Sequence, residues 1–367
     1  MDERPAQQAR CFVVLAQGLH RAAAGEAFGM VTTVKELARR SGVASAALSL
    51  FLIAGCAADP TAKYTENGIP REDGFVAAAA RGDDDAVRAF MASGLPIDSR
   101  DQHGSTPLMG AAGSGRPEMV EALVVKGADV NLAKPDGWNA LIAASQAGST
   151  PTVDKLLERG ANPNAANGDG YTALMAAAQA GEADVVDALL QKNADPNATN
   201  KDGWTALMAG IEAGDAAIVA ALLKKGASAN RSNADGWSPL MAAAKGGNLE
   251  MVQALIAAGG DPNAKTAEGW TALMAAAETG SDQVSAALIE GRANVNAMSR
   301  DGWTALMGAA DGGHANLVRV LIDKGANVRA VNHEKVTAAT YAERNGHVDV
   351  AELLKKGAAP TRALSRR

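Results

Sequence analysis

Little in this chain is equipped to make or break bonds. Its 367 residues include two cysteines, Cys11 and Cys56, and five scattered histidines, His20, His103, His314, His333 and His347. A catalytic or metal-binding constellation needs several such groups at a defined spacing. No Ser-His-Asp order, phosphate-cradling glycine loop or Cys/His ligand spacing occurs. Asp-Gly pairs recur, but without the closely spaced carboxylates of a calcium loop. The expectation is a protein that is not an enzyme and has no cofactor and no metal. A net charge of −6 and a pI near 5.5, with no basic stripe, argue against a nucleic-acid partner, whose phosphates call for clustered Lys and Arg.

The chemistry on offer is that of grip. All five tryptophans, Trp138, Trp204, Trp237, Trp270 and Trp303, fall in one column of a 33-residue period, Tyr171 fills the same place in the remaining inner copy, and Ser105 ends the series. Stacked at about helix-packing distance, roughly 10 Å, six such rings make a ladder on the order of 50 Å long. Trp and Tyr are enriched among interface residues whose truncation costs roughly 2 kcal/mol or more. The same rings can instead pack over a neighbouring turn or over the methionines described below, stabilising the stack and touching no ligand; both uses stay open. A second column, Gln146, Gln179, Glu212, Lys245, Glu278 and Asp311, varies where its surroundings do not and is the candidate for specificity. The acidic column Asp136, Asp169, Asp202, Asp235, Glu268 and Asp301 reads as turn chemistry.

These columns require a repeating frame. The glycines Gly104, Gly137, Gly170, Gly203, Gly236, Gly269 and Gly302 are each 33 residues apart, the signature of stacked units that share no single core. After each Asp-Gly turn comes an N-cap residue (Thr106, Asn139, Thr172, Thr205, Ser238, Thr271, Thr304), and Pro107 and Pro239 stand at the next position, where a missing donor does no harm. A short alanine-rich helix is predicted from Leu174 to Ala178, ended by Gly181. A second helix carries Val185, Val186, Leu189 and Leu190 on one stripe, which a two-helix unit can bury only against a neighbour.

The pattern G-x-T-[AP]-L-x-x-A-A-x-x-G, then a Val/Ile-Val-x-x-Leu-Leu helix, then G-A-D-x-N-A, resembles the ankyrin repeat. The resemblance covers residues 71–361 as nine units. The first, from Arg71 with Phe75 in the leucine column and Gly82 ending its first helix, resembles an N-terminal cap. The ninth, from Lys335 through Thr337 and Leu353-Leu354, resembles a C-terminal one. The fold implied is an all-α solenoid of helix-turn-helix units with β-hairpin-like turns, and a monomer is expected. The resemblance also implies that the aromatic column projects from the hairpin tips toward a concave, partner-binding face, and that His314 and His347 are structural. Two departures stand out. The histidine usual after the leucine is replaced by Met109, Ile142, Met175, Met208, Met241, Met274 and Met307, exchanging a polar tie for packing. A glycine position after the second helix holds Asn193 and Arg292, and Arg292 predicts a local irregularity, with Gly291 shifting the turn.

Residues 1–70 lie outside the repeats. Lys35, Arg39 and Arg40 precede the apolar run Val43–Ala54, too short to span a bilayer, which takes about 20 residues, but suited to a signal-peptide core. The run ends in Leu52-Ile53-Ala54-Gly55-Cys56, which resembles a bacterial lipobox and implies cleavage before Cys56 and its lipidation. Residues 30–55 are then the signal peptide, with Met30 as the start and residues 1–29 a leader. Residues 56–70 are expected to be a flexible tether of roughly 20 Å r.m.s. span, and residues 362–367 form a polar tail. The expected setting is the bacterial cell envelope, on the outer membrane facing the periplasm. The expected role is a non-catalytic scaffold for an unidentified protein partner, with a cell-wall glycan stacked on the tryptophans, or a host protein met by an exported factor, as the alternatives.

Overall fold

The computed structural model describes residues 59–357. Within them, nine antiparallel helix pairs follow one another, from Arg71–Arg81 with Asp84–Ala92 to Ala338–Arg344 with Val348–Gly357. No strand forms among the described residues; isolated bridges such as Ala166 to Thr172 mark the hairpins. None of the helices among the described residues is long and apolar enough to cross a membrane.

Eight of the nine units are started by a side-chain cap, the exception being unit one, which starts after Pro70. In units two to nine the side chain of the capping Thr, Asn or Ser accepts the backbone N–H three residues on, as Thr205 does from Met208 at 3.2 Å. Gly181, at φ 78°, closes the first helix of unit four and turns the chain. The second helix then buries the predicted stripe: Val185, Val186 and Leu189 are fully inside and Leu190 nearly so. Each aliphatic side chain so buried contributes about 1.5–3 kcal/mol. The methionine column packs as expected, all six methionines and Ile142 being buried. First helices pack on first helices and second on second, and the first-helix row is the closer of the two, as its alanines allow.

Asparagines in the connecting segments bind unit to unit. The Oδ1 of Asn197 accepts the backbone N–H of Ser228 at 2.8 Å, and its Nδ2 donates to the carbonyl of Gly226, also at 2.8 Å. Asn131, Asn164, Asn230, Asn263 and Asn296 repeat both bonds with the unit that follows. The acceptor carbonyls belong to residues in the left-handed region, Gly160, Asn193, Gly226, Gly259, Arg292 and Gly325.

The irregularity expected at Arg292 does not form. Arg292 adopts φ 72° like its glycine counterparts, Gly291 stays at φ −71°, and the Arg292 carbonyl receives Asn263 Nδ2 at 3.0 Å. The staple holds the turn in register, and the arginine backbone carries the conformational cost. A second difference concerns the tether. Of residues 56–70, those from 59 on are described, and Ala62–Thr65 forms a helical turn docked on unit one. Tyr64 is buried there beside Phe90, its hydroxyl donates to Asp83 at 3.0 Å, and Lys63 pairs with the same carboxylate at 2.6 Å. Desolvation alone would raise the Asp83 pKa, but Lys63, the Ala86 N–H and Tyr64 outweigh it and hold the group below its ordinary value. This segment therefore extends the N-terminal cap. Cys56, the signal segment, the leader and the polar tail lie outside the described residues.

Candidate functional site

The aromatic column is carried on a hairpin whose local chemistry is visible in unit four. Asn167 N–H donates to the Tyr171 carbonyl, and Gly170 N–H donates to the Asn167 carbonyl, both at 2.9 Å. Gly170 takes φ 81°, so the tip is a three-residue loop with its last position left-handed. The Asn167 side chain completes it, accepting from Asp169 N–H at 2.9 Å and Tyr171 N–H at 2.8 Å. Asn200, Asn233, Thr266, Ser299 and Asn332 hold the corresponding amide in later units. In unit three Lys134 occupies that position, and Asp136 supplies the oxygen to Trp138 N–H instead. A side chain at Gly203 would also meet the next hairpin, its Cβ falling 3.0 Å from Ala234 N. Backbone carbonyls of five members of the acidic column, Asp136, Asp169, Asp202, Glu268 and Asp301, tie one tip to the next, as Asp202 does to Ala234 N–H at 2.7 Å. The column thus serves the turns through its backbone at five of its six positions and through its carboxylate at Asp136.

The rings share a packed base but differ in their further contacts. All six, Trp138, Tyr171, Trp204, Trp237, Trp270 and Trp303, are half-buried and packed against the core. Trp138 and Tyr171 stack on each other, 6.3 Å between centroids and 9° from parallel. Tyr171 also donates its hydroxyl to Gln179 Oε1 at 2.6 Å, and burial pushes its pKa up to about 12. Trp303 meets Tyr341 edge-on at 4.8 Å, its Nε1 buried without a hydrogen-bond partner near Gly308. Those three rings are used largely within the stack. Trp204 and Trp237 line an open cleft of about 410 Å³ between units five and six, with Met208, Ile211 and Ala242 as its apolar wall and Glu212 and Lys245 at its edge.

The variable column borders the same side. Gln146, Gln179, Glu212, Lys245 and Glu278 are exposed, and Asp311 is half-buried. Lys245 Nζ lies 5.4 Å from the Trp237 ring centroid, a cation–π geometry. Desolvation pushes the Glu212 carboxyl up to about 7. At Glu278 burial raises the pKa, Lys245 opposes it and Asp311 adds to it, so neighbouring members of the column sense one another. Asp311 is committed to the stack: its carboxylate and its carbonyl both accept from Asn345 Nδ2, and its carbonyl lies 3.1 Å from His347 Nε2. His314 Nε2 lies 3.3 Å from the Glu278 carbonyl in the same manner. Both histidines fasten helix ends of the preceding unit.

Sequence reasoning missed the hairpin asparagines and the staple asparagines. The signal was present as Asn167, Asn200, Asn233 and Asn332, each four residues before the aromatic position, and as the asparagine of G-A-D-x-N-A. Among the described residues no group of three or more His, Cys, Asp or Glu side chains is placed to hold a metal ion. A family model described as "Ankyrin repeats (3 copies)" matches residues 75–167, 149–233, 225–299 and 284–363. No curated protein matches the chain.

Proposed function

The chain belongs to the ankyrin repeat family, and from that premise we propose that it is a non-catalytic scaffold that binds a protein partner through its hairpin tips and first helices. The closer packing of the first-helix row supports a stack that curves with this face inside. The observation that carries the reading is the open cleft walled by Trp204 and Trp237: two half-buried indoles, anchored from behind by the core, present apolar surface at low entropic cost, which is what an interface anchor requires. Trp138, Tyr171 and Trp303 act mainly as stacking elements that stiffen this surface. Gln146, Gln179, Glu212, Lys245 and Glu278 select among partners.

The setting we propose is a bacterial envelope, with Cys56 lipidated and the array held beside the outer membrane. The support is the order of basic residues, apolar core, small residues and cysteine in residues 35–56. Intact-mass analysis of the mature protein should find a chain beginning at a lipidated Cys56, and Cys56→Ser should release it from the membrane fraction. A mature chain that retains residues 1–29 refutes this part of the proposal.

The partner-binding reading is tested by placing a photo-cross-linking residue at position 204 or 237 and identifying adducts by mass spectrometry. Discrete protein adducts are expected from these positions and not from position 250 on the second-helix side. Trp204→Ala combined with Trp237→Ala should remove binding while helix content is retained. A double variant that unfolds would assign the rings to the stack instead, and adducts consisting of cell-wall glycan would replace the protein partner with a saccharide.

A further inference from the structure

The asparagine staple gives way at both end interfaces, to Arg329 before the last unit and to Asp98 after the first. Asp98 keeps the acceptor's half of the staple: its Oδ1 and Oδ2 share the Asp129 N–H at 3.2 and 3.3 Å. The donor's half is missing. In the six interfaces that follow, the asparagine Nδ2 reaches the carbonyl 29 residues on at 2.8–3.1 Å. Counted from Asp98 that residue is Gly127, which takes φ 98° like its glycine counterparts, and an ionised carboxylate has no hydrogen to give it. Desolvation is the largest influence on the Asp98 carboxyl and raises its pKa; the Asp129 N–H opposes this, the Asp129 charge adds to it and Arg100 opposes it, and the net result lies above the ordinary value. Those two charged neighbours are themselves engaged, Asp129 with the Asn131 N–H at 2.9 Å and Arg100 with the carbonyls of Gly104 and Ala133, both at 2.9 Å.

We propose that Asp98 is an acid-operated latch between unit one and unit two: as a carboxylate it holds by the Asp129 N–H alone, and once protonated it also donates to the Gly127 carbonyl, completing the staple that asparagine forms elsewhere. A neutral carboxyl offers what a carboxamide offers on the same short stem, an oxygen to accept and a hydrogen to donate. The proton comes from water, and no covalent bond other than the new O–H changes. The second bond is present in full below the ordinary aspartate value of 3.8 and is lost as pH rises through the raised one. End units are where an array opens first, so the attachment of unit one, with the Tyr64 segment docked on it, becomes the acid-responsive joint of the stack, whatever partner the hairpin tips hold. Two other carboxylates hold this unit: Asp73 accepts the Gln102 N–H at 3.0 Å across the same joint, and Asp83 binds Tyr64 and Lys63. The latch is therefore read as a difference from a variant that keeps both.

The test uses the full chain, its Asp98→Asn variant, which carries the donor at every pH, and native-state hydrogen exchange, with each rate divided by that of the unstructured peptide at the same pH. Near pH 7 Asp98→Asn should raise protection of the Arg71–Arg81 amides roughly fivefold, the worth of one hydrogen bond. The advantage should shrink toward none near pH 4, as the native carboxyl takes up its proton. In the unsubstituted chain the ¹³C signal of the Gly127 carbonyl should titrate together with the Asp98 carboxyl, and in Asp98→Asn it should not. Asn131→Asp moves the device one interface along: it should loosen the joint of units two and three near pH 7 and restore it near pH 4. An advantage of Asp98→Asn that is absent near pH 7 or the same at both pH values, a Gly127 carbonyl indifferent to the titration, or a loss in Asn131→Asp that acid does not recover would each overturn the inference.

Discussion

A single side chain in this array is shaped by the surface it lies on, and Glu212 shows how. Its carboxyl is raised by desolvation to about 7, well above the ordinary carboxylate range, so between those values the folded protein holds a proton that the unfolded chain has released. By linkage the stabilisation is present in full below the unfolded pKa and is lost as pH rises through about 7. Glu212→Gln should therefore leave stability unchanged near pH 4 and raise it near pH 8, by less than about 1 kcal/mol because water screens an exposed group; paired urea titrations at the two pH values measure it. Arg292 gives a second prediction. A non-glycine residue in the left-handed region costs roughly 1–2 kcal/mol, part of which glycine's greater chain entropy offsets, so Arg292→Gly should stabilise the protein by about 0.5–1 kcal/mol in thermal unfolding. The sequence marked Arg292 as unusual but could not say where the strain would settle. The answer depends on Asn263, 29 residues away, gripping its carbonyl. The ring column was legible by position and illegible by role: nothing in the sequence separates Trp138, stacked on Tyr171, from Trp204, which lines a cleft.

At the level of the element, local rules carried the reading because each unit obeys them independently. The N-caps, the helix-closing glycines and the aliphatic stripe of the second helix are short-range features, and all appear where the 33-residue period predicts them. Bonds between units are a different matter. The staple asparagines were visible as letters in a motif, but their partners stand 29 and 31 residues further on, beyond any local rule. Asn197→Ala should cost about 1–2 kcal/mol, the worth of two hydrogen bonds whose former partners are left to water. Asn197→Asp, which keeps the acceptor and loses the donor, should cost about half of that. Amide exchange at Ser228, whose N–H the staple holds, should accelerate in Asn197→Ala and stay protected in Asn197→Asp. Uniform loss of protection in every unit would argue against a bond confined to one interface.

For the whole array, stability is a sum over neighbours, and the ends are its weak points. The segment read from sequence as part of a tether caps the first unit, and Tyr64 is its anchor, buried against unit one and bonded to Asp83. Its sequence context is polar, and only the tertiary pocket made by Phe90 and Arg81 reveals why an aromatic belongs there. Tyr64→Ala should cost about 3 kcal/mol, as for other large buried side chains. Hydrogen exchange should place the loss in Arg71–Ala92 and leave the Ala206–Lys224 pair protected. The staples have a mechanical corollary as well. Each joins a unit to the very next one and none reaches further, so a pull on the two ends meets a row of separate latches. Such a chain lengthens in even steps, one unit released at a time, and each unit that lets go leaves its neighbours able to take it back when the load is removed.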